Sequence, residues 1–244
     1  MLLRDSRLKI DRANKHIADL KARVDIFEQS DHATIEVNPE TGQKFIKHDF
    51  RDKTWDTDIA LILGDAVHNL NSALDIAWMR IIERVVPAAV SDYAKFPVYP
   101  SRDALKGALT GIKVHIANPA LFDLMMSHIK PYNGGNDALW AIHKLDILDK
   151  HRLLIPVVSY GSVNDIETEN ESGETATGGS WGTWRVPPWF VHIPSGLNIK
   201  NKGKASISVL FDEGTPTRHL DVPNMLPYYS AVILRVVELL ESVL

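Results

Sequence analysis

The stretch from Asp137 to Ile155, DALWAIHKLDILDKHRLLI, limits the fold more than any other part of the chain. Placed at the α-helical step of 100° per residue, Trp140, Ala141, Ile142, Leu145, Ile147 and Leu148 cover most of its circumference. His143, Asp146 and Lys150 share the remaining face, with Asp149 on its edge. A helix apolar nearly all round is predicted to be buried in a bundle. Polar groups carried into that bundle must find partners there. The helix ends in a charged run, Asp149-Lys150-His151-Arg152, and the chain then changes to the strand-like LLIPVVSY.

The partner helix is predicted at Thr57 to about Val86, stopped by Pro87. Leu63, Ala66, Leu70, Leu74, Ala77 and Ile81 form one apolar face. Asp65, His68, Asn71, Ser72 and Asp75 form a polar stripe with no Lys or Glu, bordered by Leu61, Ile76, Trp78 and Met79. Solvated faces are richer in long charged side chains. A stripe of short polar groups therefore points to an interior or interface network, with His68, Asn69, Asn71 and Asp75 as natural partners for the Asp137–Ile155 helix.

The other elements follow in order. Residues 2–29 show helical periodicity, with Leu8, Ala13, Ile17, Leu20, Val24 and Phe27 as the stripe. Asp31 to Phe50 alternates around NPETG and reads as a β-hairpin. Ser101 caps a short helix, and Asn118 or Pro119 starts another that runs to about Ile129. Asn164 to Thr183 is acidic, then Gly/Ser/Thr-rich, and reads as a flexible loop. WGTWRVPPWFVHI is extended, KASISVLFDE alternates as a strand, and Pro223 to Leu244 returns to helix. The predicted fold is α+β: an antiparallel helical-bundle core with an inserted β-hairpin, then a small C-terminal antiparallel sheet and a final helix. The expected division is a bundle at 1–153 with its hairpin at about 31–50, a β region at 154–222 with the loop 164–183, and a helix at 223–244 packing back on the bundle.

Composition removes several function classes. The 244 residues are 45% hydrophobic, enough for a sizeable core, and the net charge of -4 gives no global basic field. Without cysteine there are no disulfides, thiolate zinc sites or cysteine nucleophile. Apolar runs fall short of the ~20 residues a membrane helix needs, and the N-terminus carries charges every few residues. The expectation is a soluble cytoplasmic protein with no membrane partner and no cofactor.

Two facing helices bearing His and carboxylates can build either a metal site or a polar lock. Bundle metal sites use Glu-x-x-His pairs; here His143-x-x-Asp146 is the nearest substitute, so no metal ligands are assigned. Lys150, His151 and Arg152 at a helix C-terminus are favoured by the macrodipole by ~0.3–1 kcal/mol each. The same residues suit phosphodiester chemistry, with His as general acid or base and Arg gripping a phosphate.

GDAVHNLNSALDIAW and LWAIHKLDILDKHRLLI, with FPV and KPYN between them, resemble a bacterial and phage-associated family. Its members carry GD-x-x-HNLRSALDH in one helix and LHELDNIDKHR in a later one. The similarity covers roughly residues 1–155. Asn71 stands where that pattern has Arg, and Ile76 where it has His. More loosely, the helix pair looks like the HEPN superfamily, whose enzymatic members are dimeric, metal-independent ribonucleases. That likeness implies a helical bundle, a homodimer, an RNA substrate and a role in phage defence.

Three readings follow. In the first, the helices form a non-catalytic, polar-locked bundle acting as a dimer or ligand-binding module, with Asn69, Asn71, Asp75, His143, Asp146 and Lys150 as the network. In the second, a HEPN-like ribonuclease uses His151 and Arg152 with Asp149 and His68. In the third, a metal-assisted hydrolase uses His68, Asp75, His143 and Asp146. Trp181, Trp184 and Trp189 are expected to pack the sheet onto the bundle, with base stacking as the alternative.

Overall fold

A computed structural model describes residues 3–30, 33–48, 55–90, 95–152, 157–183, 189–212 and 214–243. It is α+β. Helix α1 (Arg4–Gln29) buries Ile10, Ala13, Ile17, Leu20, Val24 and Phe27, spaced three and four residues apart. Leu8, expected on that stripe, is 52% exposed. Stepping back from Ile10 by four residues reaches Ser6, which is the buried position.

Helix α2 (Trp55–Val85) is the axis of the bundle. It runs for about 45 Å at the α-helical rise. It buries more than one stripe: Ile59, Leu63, Ala66, Leu70, Leu74 and Ala77, and also Val67, Trp78 and Ile82. It needs this because α1, α6 (Asp137–Arg152) and α7 (Val222–Glu241) all pack on it. The α7 helix starts at Asp221, whose carboxylate accepts the Asn224 N–H, and buries Leu226, Tyr229, Ile233, Val237 and Leu240.

Between α2 and α6 lie α3 (Arg102–Gly111), α4 (Val114–Ala117) and α5 (Pro119–Asp123). Ser101 caps α3 by accepting the Ala104 N–H. The helix expected to reach Ile129 changes to a π-helical turn over Leu124–Ile129. Asn136 caps α6 through its side-chain oxygen, which accepts the Leu139 N–H at 3.2 Å.

Two small antiparallel sheets complete the chain, ordered β1-β2-β5 and β4-β3-β6. The strands are β1 (Ala33–Val37), β2 (Lys44–His48), β3 (Val157–Glu169), β4 (Thr175–Thr183), β5 (Trp189–His192) and β6 (Asn198–Phe211). Two expectations are corrected here. Residues 164–183 are not a loop: they hold the end of β3 and all of β4, paired from Tyr160↔Thr183 to Glu169↔Thr175. Their low hydrophobicity misleads, because the order comes from a backbone ladder on both edges of β3. The 31–50 hairpin also does not belong to the bundle. Its β2 strand pairs with β5, and Ala33 and Ile46 join Val163, Ile166 and Ile193 in a second core. A lone hairpin is marginal in water, and this partner sheet is what supports it.

The sheets reach the bundle through the end of β6, where Ile207, Val209 and Phe211 enter the main core. A bulge in β3 puts Asp165 at φ 60°, opposite Gly203 at φ +86°. A Cβ on Gly203 would meet the Asn164 carbonyl oxygen at 2.7 Å, so glycine is required on both counts. Trp184 and the side chains of Trp181 and Trp189 lie outside the described residues.

Candidate functional site: a buried carboxylate between two helices

The polar residues of α2 and α6 meet because the helices run antiparallel in close contact. Gly64 makes part of that approach possible. A Cβ there would fall 3.0 Å from Cγ of Asp149 and closer still to its Oδ1. The glycine in the middle of an apolar helix is therefore a seat for the Asp149 carboxylate. The prediction that α6 is buried all round needs correction. Ala138, Leu139, Ala141, Ile142 and Leu145 are buried, but Ile147 is exposed and Leu148 only half-buried. The helix leaves the core over its last turn, where its charged run begins.

Asp146 is the centre of the site, with its side chain 4% exposed. Its Oδ1 lies 3.1 Å from Nδ1 of His68. Its Oδ2 accepts from Nδ2 of the buried Asn71 at 3.0 Å and from Nζ of Lys150 at 2.5 Å. Three donors from two helices thus satisfy one buried carboxylate, as its desolvation requires. Lys150 reaches back by one turn, the (i, i+4) geometry. His68 and Lys150 are 46% and 41% exposed, so the cluster is closed beneath and open above. With Asp146 holding Nδ1, the His68 Nε2 atom turns to Oγ of Ser72, 3.5 Å away.

The remaining residues surround this centre without joining it. Asp75 accepts the Phe96 N–H at 2.9 Å. Burial pushes its carboxyl above the ordinary carboxylate range; the Phe96 bond opposes this and the nearby Asp146 charge adds to it. Burial, helped by Lys144, lowers the imidazole of His143, whose ring sits 6.3 Å from that of Trp140. The Asp149 carboxyl is raised by burial and by Asp146, against the opposing pull of His68. Asn69 turns the other way, donating to the Asp65 carbonyl and accepting from Lys9 of α1.

The residues proposed for phosphodiester chemistry are not drawn together in the same way. His151 is exposed at the end of α6 and makes no hydrogen bond or ion pair among the described residues. The Arg152 side chain lies outside the described residues. No group of three or more His, Asp or Glu that could hold a metal ion occurs among the described residues. No described helix is long and apolar enough to cross a membrane. Sequence reasoning missed the role of Gly64, though an isolated glycine inside a strongly apolar helix was the available signal. It also left Ser72 out of the site, although Ser72 stands one helical turn beyond His68. No family model, curated protein or solved structure matches the chain.

Proposed function

We propose that the chain is a binding module: a polar-locked bundle that recognises a second copy of itself through the exposed side of α2 and α6. The observation that carries this reading is the saturation of Asp146 by His68, Asn71 and Lys150. Such a cluster fixes helix register and angle, the best-attested use of buried polar groups. On the two helices that the lock joins, α2 presents Leu61, 53% exposed, and α6 presents Ile147. Two large exposed apolar side chains on helices held in register suit a self-complementary contact. The metal-assisted reading lacks a donor set among the described residues.

Light scattering across a concentration series tests the proposal. The wild-type chain should show the mass of a dimer, and Leu61→Lys with Ile147→Lys should shift it to monomer without a large change in melting. A wild-type chain that stays monomeric at all concentrations would refute the reading.

A further inference from the structure

Ser72, His68 and Asp146 form a chain of contacts whose order has a chemical meaning. The buried carboxylate holds Nδ1, so that nitrogen carries the proton and Nε2 keeps its lone pair. Nε2 faces the Ser72 hydroxyl at 3.5 Å, a separation of the kind that tightens when a reacting group arrives. Ser72 is half-buried and His68 is open to solvent, so a reagent can reach the hydroxyl. A nucleophile beside a base, with the base oriented by a third group, is the arrangement that activates a serine.

We propose that Ser72 is an activated hydroxyl that takes an acyl group from donors with a good leaving group, such as aryl esters or acyl thioesters. This goes beyond the binding-module reading and does not rest on it; since it needs the exposed side of α2 open, it is read at concentrations where the chain is monomeric. In the step, the Ser72 hydroxyl proton passes to Nε2 of His68 as Oγ bonds to the acyl carbon. The carbon–leaving-group bond then breaks, and the departing phenolate or thiolate takes the proton from the imidazolium. The products are an ester on Ser72 and a free phenol or thiol; no oxidant or reductant is involved. His68 is the general base, and Asp146 is a positioning residue that acts through it.

The class of donor follows from where Ser72 sits. It lies inside α2, where backbone N–H groups are engaged in the helix. The α2 backbone around Ser72 therefore offers no spare pair of N–H donors to hold a developing oxyanion. The lack of one such donor costs about 10²–10³ in rate, so poor leaving groups such as amides are not attacked. The same deficit slows hydrolysis of the ester, which makes stoichiometric acylation, rather than rapid turnover, the expected behaviour.

The test uses the full chain with p-nitrophenyl acetate, read by intact mass and peptide mapping. The expected result is one acetyl group on Ser72, lost in Ser72→Ala. His68→Gln can still donate to Asp146 but supplies no base, so its melting should be preserved while acylation slows about tenfold or more. Asp146→Asn should displace the pH profile of the acylation rate, which a merely structural role would not do. An adduct absent from Ser72 overturns the proposal. Equal acylation in folded His68→Gln, or in urea-unfolded wild type, does so as well.

Discussion

Replacing Asp146 with alanine removes the acceptor shared by three donors, and the burial of each donor sets the cost. Asn71 is the buried one. Its Nδ2 would lose its bond to Oδ2 with little access to water, costing about 1–3 kcal/mol. His68 and Lys150 are nearly half exposed and can return to solvent, so each of their contacts with Asp146 adds only about 0–1 kcal/mol. The sum is about 1–5 kcal/mol. For a chain of this size each kcal/mol moves the melting temperature by roughly 2–4 °C, so Asp146→Ala should melt roughly 2–20 °C lower. Urea unfolding followed by circular dichroism gives the free energy directly, with an unchanged slope showing that only stability changed. A double-mutant cycle isolates the lock. If Asn71→Ala costs far less in the Asp146→Ala background than in wild type, the coupling is about 1–2 kcal/mol. A loss below about 0.5 kcal/mol for Asp146→Ala, or additive effects of the two changes, would refute the account of Asp146 as a buried shared acceptor.

Gly64→Ala should destabilise, although in an exposed helix interior the same change gains about 0.5–1 kcal/mol. Its Cβ overlaps the Asp149 carboxylate. A net loss of about 1–2 kcal/mol is expected, most of it recovered in Gly64→Ala with Asp149→Ala; a Gly64→Ala variant more stable than wild type would contradict the close approach. Asp149→Asn should have a pH-dependent effect. The folded carboxyl is raised above its ordinary value of 3.8, so the folded state holds this proton more tightly than the unfolded chain. That contribution is fully present below the unfolded value and is lost as pH rises through the folded one. Wild type should therefore lose stability relative to Asp149→Asn as pH rises above about 4, and a flat difference in thermal melts would argue against a desolvated carboxylate. Mixed RNA should survive incubation with the protein. Cleavage present in wild type and absent in His151→Ala would instead establish the ribonuclease reading.

Helix positions and faces were legible in the sequence because they depend on local periodicity. The stripe of α7, from Leu226 to Leu240, and the caps at Ser101 and Asn136 need only neighbouring residues to be recognised. The pairing of the HNLNSALD and HKLDILDK helices was also predictable, since each carries polar groups that burial would leave unsatisfied alone. What periodicity could not supply was distance between segments. The β1–β2 hairpin reads as an insertion in the bundle, yet its register joins it to β5, some 140 residues later, because a sheet edge can pair with any strand that reaches it. Residues 164–183 read as a loop because their order comes from the strands on either side and not from their own hydrophobicity. Within the site, the sequence determined that His68, Asn71, Asp146 and Lys150 would need partners. Only the crossing of α2 over α6 decided that all three donors converge on Asp146, that Asp149 rests against Gly64, and that His151 is left in solvent. Hydrogen bonds act over about 3 Å, and positions a few ångströms apart on a helix cylinder are equivalent in sequence pattern but not in chemistry.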